Sequence, residues 1–361
     1  MKLLLVHPGA SYATGDILSG YYRALVDAGH EVILYALDHR IDVANEFYTW
    51  AYKKAGHQHP PPAVVLQHAA GHIVPMALYH DVAGVVAFSG MVLAPDVFVM
   101  LKRAGMPTAL ILSESPYDDL PHRRLIARRD KGRPVIDAVF TNERTSVAVL
   151  GAAHPNVSYL PHAYDPAVSA PGDEAFDCDV LFIGSLFEER IALLEAIDWA
   201  GEGIDLALYG YTKTLNSRSR LRKCIRGGIV DNVDCQPRYR AARIVLNPYR
   251  TSMGFGAGVD HVRTAESVNP RALELAACGA FTISTYRPEV AELFGDLVPT
   301  YRTPGELLAL VRYYLEHEEE RRDKASRLPG AVTGHTYADR ARDLVARLAA
   351  AWDRAGHRVP A

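Results

Sequence analysis

Apolar positions along the chain gather into short, nearly unbroken runs separated by longer stretches with helical spacing. Leu3-Leu4-Leu5-Val6, Val85-Val86-Ala87-Phe88 and Val180-Leu181-Phe182-Ile183 carry no polar alternation, the pattern of buried strands in a parallel sheet. In the first half this spacing predicts strands at 2–6, 31–36, 84–88, 107–112, 138–140 and 157–160. An amphipathic helix over 16–28, closed by Gly29, completes a first βαβ unit. A helix over 41–55 carries Phe47, Tyr48, Trp50 and Tyr52, which read first as packing and second as contacts to a bound molecule.

A second set of alternating signals follows, with strands at 179–185, 205–210, 243–247 and 281–284 and a helix over about 188–199. From Pro304 onward the pattern is helical, with 316–327 a solvated charge run and a last helix at 337–352 that places Leu344, Leu348 and Trp352 on one face. Between the two sets, 161–175 is rich in Pro, Ala, Gly and Asp, lacks periodicity and reads as a hinge. The expected division is therefore an α/β chain of two domains, 1–165 and 176–336, which suits a length of 361 residues.

Composition narrows the function classes. With 49% apolar and 22% charged residues and a net charge of −3, the chain reads as an ordinary soluble protein with no global attraction to nucleic acid or membrane. Cys178, Cys224, Cys235 and Cys278 form no CxxC pair, so buried thiols in a reducing cytoplasm are expected. The first apolar run is too short for a signal core, and no run reaches bilayer length. His57 with His59, and His68 with His72, offer two imidazoles each without a third ligand in register, and no HExxH, nucleophile elbow or P-loop occurs. No metal is expected.

The densest chemistry lies between Ala265 and Ala280. Asn269-Pro270 is a helix entry, with Asn at the cap and Pro where its missing N–H costs nothing, and Gly279 is a natural stop. Glu266 precedes this helix and Glu274 lies inside it, with seven residues between them and Arg271 close to both. An apolar helix that carries a carboxylate at its buried end needs a partner for that charge, and a pair of sugar or ribose hydroxyls is such a partner. Elsewhere, Gly9 opens a glycine loop between the first strand and first helix, where amides and a helix dipole face any ligand at the strand ends. Gly184-Ser185 opens the matching loop of the second set, and Arg190 at the following helix start suits a pyrophosphate. Glu114 sits in the acidic segment Ser113 to Asp119, which reads equally as a solvated turn, and His162 reads either as a cleft residue or as a histidine that orders the hinge. Asn247-Pro248-Tyr249-Arg250 precedes a loop with Gly254, Gly256 and Gly258 that reads as a flap or as plain disorder.

Glu266 and Glu274 at this spacing, followed by Ala277-Cys278-Gly279 and a short strand, resemble the donor-site signature of retaining GT-B glycosyltransferases. The fuller pattern Asn269-x-Arg271-x-x-Glu274-x-x-Ala277-Cys278-Gly279, running on to Glu292-Leu293-Phe294, is most similar to their CgeB-like branch. The resemblance extends from residue 1 to about 352 and is most specific between 247 and 294. It implies a GT-B fold of two Rossmann-like domains facing across a cleft, with the final helix, about 337–353, packed back on the first domain. It further implies transfer of a sugar, with retention, from a nucleotide-diphosphate sugar to an acceptor held mainly by the first domain, without cofactor or metal. On this pattern Glu274 grips the ribose, Glu266 lies at the donor sugar, and Gly9, Gly184, Ser185, Arg190, Tyr209, Gly210, Asn247, Asn269 and Arg271 line the donor site. Glu114 and His162 join Glu266 as catalytic candidates; where other retaining enzymes place a sugar-contacting histidine, this chain has Glu114. The acceptor class stays open among glycan, lipid, protein, metabolite and modified nucleic acid. The alternatives are a sugar-nucleotide epimerase or inverting enzyme on the same fold, or a non-catalytic nucleotide-sugar-binding module.

Overall fold

The structure, a computed structural model, describes residues 1–9, 15–90, 92–113, 125–250, 265–354 and 356. The chain divides into two compact units, one made of Met1–Pro161 and Tyr337–Ala361, the other of His162–Thr336.

The first unit is built on a parallel sheet of β1 (Lys2–His7), β2 (Glu31–Ala36), β3 (Gly84–Phe88), β4 (Thr108–Leu112), β7 (Ala138–Thr141) and β8 (Val157–Tyr159). A two-residue-per-strand hairpin of β5 (Arg129–Asp130) and β6 (Arg133–Pro134) stands apart from it. The spatial order is β2-β1-β3-β4-β7-β8, with Leu4 opposite Ile33 on one side and Val85 on the other. β3 and β4 are buried along their whole length and β1 from Leu3 onward, as expected of central strands in a parallel sheet. One face is packed by Leu4, Val6, Val85, Ala87 and Leu110. On the same sheet, the helix Tyr337–Arg354 buries Leu344, Leu348 and Trp352 completely, and the Trp352 indole donates to the Thr108 carbonyl. A Cβ at Gly84 would stand 2.4 Å from the Trp352 ring, so the glycine makes room for the indole.

The second unit carries β9 (Cys178–Ile183), β10 (Leu206–Tyr209), β11 (Ile225–Gly227), β12 (Ala242–Asn247), β13 (Thr282–Thr285) and β14 (Thr300–Tyr301) in the order β11-β10-β9-β12-β13-β14. Every pairing is parallel, with Leu181 opposite Ala207 and Val245. This is the doubly wound order in which the chain fills one side of its first strand and then the other.

Two stretches differ from what composition suggests. The Pro-rich segment read as a hinge is fastened along the second unit: the Tyr164 amide donates to the His335 carbonyl, Arg240 pairs with Glu174, and the Asp177 amide donates to Ala241. Phe176 lies beneath three guanidiniums, those of Arg243, Arg321 and Arg322, at 5.3, 5.7 and 5.4 Å. The charge run read as solvated belongs to the helix Glu318–Ala331, which turns Arg321 and Lys324 inward. Arg321 donates to the Tyr314 carbonyl, and Lys324 binds the backbone and carboxylate of Asp296, both at 2.9 Å. The four cysteines are free thiols, three of them buried. No helix among the described residues is long and apolar enough to cross a membrane.

Candidate donor site

In the second unit the strand order reverses between β9 and β12, and the crevice outside the carboxyl ends of these strands is where doubly wound sheets hold ligands. Gly184-Ser185 follows β9, Gly210 follows β10 and Asn247 ends β12, so four of the predicted residues come to this edge. Gly184 and Gly210 have φ of +151° and +127°, and a Cβ on Gly210 would stand 2.2 Å from the Gly184 carbonyl oxygen. A Cβ on Gly184 would stand 3.3 Å from an Arg271 nitrogen. Glycine at both positions lets the two loops lean together and admits the guanidinium beside them. Gly210→Ala combines backbone strain with a backbone clash and is expected to cost about 2–5 kcal/mol, read as a lower urea midpoint at unchanged slope. A variant as stable as the wild type contradicts this packing.

The helix Pro270–Ala277 starts as its sequence dictates. Asn269 is extended, its side-chain oxygen accepts from the Ala272 amide at 3.0 Å, and Pro270 takes the first turn. The same oxygen accepts from the Asn247 amide nitrogen at 3.1 Å, and Asn269 returns the bond to Asn247 at 3.1 Å. Asn247 is fully buried, so it acts on this edge by holding the cap. One turn on, Glu274 is half-buried and accepts from Asn232 at 3.3 Å. Asn232 opens the helix Asn232–Arg240, whose buried Tyr239 hydrogen-bonds Arg271. Burial pulls the Arg271 guanidinium down, but Tyr239 and Glu274 outweigh it and hold its pKa above the usual arginine value. Tyr209 is half-buried, with Arg238 over its ring at 5.2 Å.

Arg190 lies in the first turn of the helix Glu188–Glu195 and is buried. It donates to the Ser185 carbonyl at 3.0 Å and to the Pro248 carbonyl at 3.1 Å, joining the loops after β9 and β12. Its Nε is buried without a partner among the described residues, and its guanidinium stands over Phe182 and Phe187 at 5.4 and 5.5 Å. Arg250 also stands over the Phe187 ring, at 5.5 Å. Burial first, then the like charges of Arg271 and Arg250, push the Arg190 pKa down to about 9. Three guanidiniums at one strand edge, one with an unused donor, create a field that an anion relieves.

Glu266 lies half-buried just before the cap, in a turn held from another element. The Val268 amide donates to the Glu289 carboxylate at 2.6 Å, the Glu289 amide to the Glu266 carbonyl at 3.1 Å, and Arg287 to the Ser267 carbonyl at 2.6 Å. The Arg287 guanidinium stacks on Tyr249 at 3.9 Å. His162, the first residue of this unit, is pushed down to about 3 by burial and by Arg287, so its imidazole is neutral at physiological pH. It is suited there to hydrogen bonding.

Sequence reasoning missed Asn232, Tyr239, Arg250, Arg287 and Glu289. The one local signal for the last two is Arg287-Pro288-x, a second helix entry directly after β13. Gly9 belongs to the first unit, where φ of +121° and a Cβ position 2.0 Å from the Asp38 carboxyl carbon leave space for glycine alone. Glu114 and the glycines at 254, 256 and 258 lie outside the described residues. A groove of about 470 Å³ runs along the helix Asp38–Lys54 of the first unit, lined by Asp42, Asn45, Glu46, Thr49, Trp50 and Lys53, and contains none of the predicted site residues. Phe47 and Trp50 on that helix are exposed. No group of three or more His, Cys, Asp or Glu side chains placed to hold a metal ion occurs among the described residues.

A family model described as glycosyl transferase-like matches residues 190–346. No protein of curated function matches the chain. Among solved structures, it is similar to a putative UDP-N-acetylglucosamine 2-epimerase from Listeria monocytogenes, with TM-score 0.59 and 13% identity over 98% of this chain and 97% of that one. It is similar to α,α-trehalose 6-phosphate synthase from Burkholderia multivorans, with TM-score 0.60 and 12% identity over 100% and 99% of the two chains. A trehalose-6-phosphate protein from E. coli bound with UDP-2-fluoro glucose matches at TM-score 0.59 and 10% identity over 96% and 99%. The fold of the chain is thus that of the GT-B proteins, with two Rossmann-like domains. The family match supports a glycosyltransferase, and the neighbours show the fold.

Proposed function

We propose that the protein moves a sugar from a nucleoside-diphosphate donor, bound on the second unit, to an acceptor with retention of configuration, as in the CgeB-like branch that its motifs resemble. The observation that carries this reading is the buried Arg190 with its unused Nε, set beside Arg271 and Arg250 at the β9/β12 switch point. Cleavage of a glycosyl-diphosphate bond places negative charge on the leaving diphosphate, and preorganised guanidiniums stabilise that charge without a metal. Glu274, on the helix that carries Arg271, accepts from the ribose hydroxyls, and Glu266, before the cap, faces the transferred sugar. A neighbour bound with UDP-2-fluoro glucose supports a nucleotide sugar as the donor. The reading includes no resident cofactor or metal and a cytoplasmic setting; the acceptor stays open among glycan, lipid, protein, metabolite and modified nucleic acid.

Similarity to the Listeria protein across nearly the whole chain favours a second reading, a sugar-nucleotide epimerase. The two differ in one observable: an epimerase converts the sugar nucleotide without acceptor, whereas a transferase releases nucleotide in an acceptor-dependent way.

Release of nucleotide from a panel of UDP-, GDP- and TDP-sugars, with and without an acceptor extract, tests the proposal. Glu266→Gln is expected to lower kcat by at least about tenfold with nucleotide affinity within about twofold of wild type, because it meets the sugar and not the nucleotide. Equal losses in kcat and affinity assign Glu266 to structure. Product without acceptor favours the epimerase.

A further inference from the structure

The helix cap fixes the chain from Asn269 onward, but Glu266, Ser267 and Val268 lie before the cap and take their position from elsewhere. Arg287 and Glu289, either side of Pro288 at the start of the helix Pro288–Phe294, bind all three. Glu289 does so twice: its carboxylate accepts from the Val268 amide at 2.6 Å, and its own amide donates to the Glu266 carbonyl at 3.1 Å. Arg287 donates to the Ser267 carbonyl at 2.6 Å. Its guanidinium is held in turn by the Tyr249 ring at 3.9 Å, and Tyr249 follows β12 by two residues. The turn is therefore referenced to the strand edge through Arg287 and to the second helix through Glu289. Both links use an ionised side chain on a backbone group, the short and stiff kind of hydrogen bond.

We propose that Arg287 and Glu289 are positioning residues that set where the Glu266 carboxylate stands against the donor sugar. This rests on the glycosyltransferase reading above. Their hydrogen bonds given above go to Glu266, Ser267 and Val268, so the effect of losing them is expected first at the sugar end of the donor. Displacement of a reacting group by about 1 Å costs on the order of a hundredfold in rate.

The test uses the full chain with the sugar nucleotide that the wild type turns over best from the UDP-, GDP- and TDP-sugar panel. Glu289→Ala and Arg287→Met are expected to lower kcat by about 10- to 100-fold while the calorimetric Kd for the matching nucleoside diphosphate stays within about twofold of wild type. Glu289→Gln, which keeps an acceptor oxygen at the same reach, recovers part of the loss and carries the test if Glu289→Ala does not fold. Unchanged kcat, or kcat and nucleoside diphosphate affinity falling together, overturns the proposal. If the wild type turns over no donor in the panel, the transferase reading fails by itself. The positioning role is then read from binding: Glu289→Gln weakens the sugar nucleotide and not the nucleoside diphosphate, and equal affinities for both across variant and wild type overturn it.

Discussion

Replacing Arg190 with methionine is expected to weaken nucleoside diphosphate binding by about 10- to 100-fold, the value of a charge-assisted hydrogen bond, while affinity for the bare nucleoside stays unchanged. Arg190 is the arginine of the cluster that is both buried and equipped with a donor lacking a partner. Its pKa of about 9, depressed from 12.5 by burial and by Arg271 and Arg250, fixes the sign of its effect on stability. A cation whose folded value lies below its unfolded one destabilises the fold wherever it must be protonated, and this cost fades only as pH rises from about 9 toward 12.5. At neutral pH an anion removes the same cost. Diphosphate should therefore raise the melting temperature of the wild type more than of Arg190→Met. The apo variant should melt within a few degrees of wild type, because relief of like-charge repulsion offsets the two bonds lost from the Ser185 and Pro248 carbonyls. Equal diphosphate affinity in the two proteins, by calorimetry, removes Arg190 from the donor site.

Glu274→Ala should not discriminate between the two ligands. On the proposed reading the carboxylate meets the ribose, so nucleoside and nucleoside diphosphate should both weaken by about 10- to 100-fold. Asn232, its partner in the structure, would be left with a donor to fill, but it is half-buried and water can serve it. The double variant with Arg190→Met separates the two contacts: for the diphosphate the losses add, for the nucleoside only the Glu274 loss remains. A Glu274 variant that loses diphosphate but keeps nucleoside would place this residue at the phosphates, acting through Arg271.

Local chemistry was legible in the sequence wherever a structural rule acts over a few residues. Asn269-Pro270 caps its helix as the residue types require, and the unbroken apolar runs are strands buried on both faces. Arg190 was legible as a guanidinium at a helix start, but its burial was not, since that depends on Phe182, Phe187 and the Pro248 carbonyl 58 residues away. The same holds for Asn232 on Glu274 and Glu289 on Val268, 42 and 21 residues apart, whose pairing only the sheet order creates. The segment 161–175 reads as free because Pro and Gly remove periodicity, yet Glu174 and the Ala170 carbonyl are held by Arg240. Arg321 and Lys324 show the reverse error of composition, since a charged residue with a backbone carbonyl or carboxylate within reach is stable inside.

A nucleoside-diphosphate site on the second unit is tested most directly by calorimetric titration of the full chain with UDP, GDP and TDP, each against its own nucleoside. One diphosphate is expected to bind at a single site at least about tenfold tighter than its nucleoside, a difference of about 1.4 kcal/mol. Three diphosphates that each bind no better than their nucleosides would contradict it.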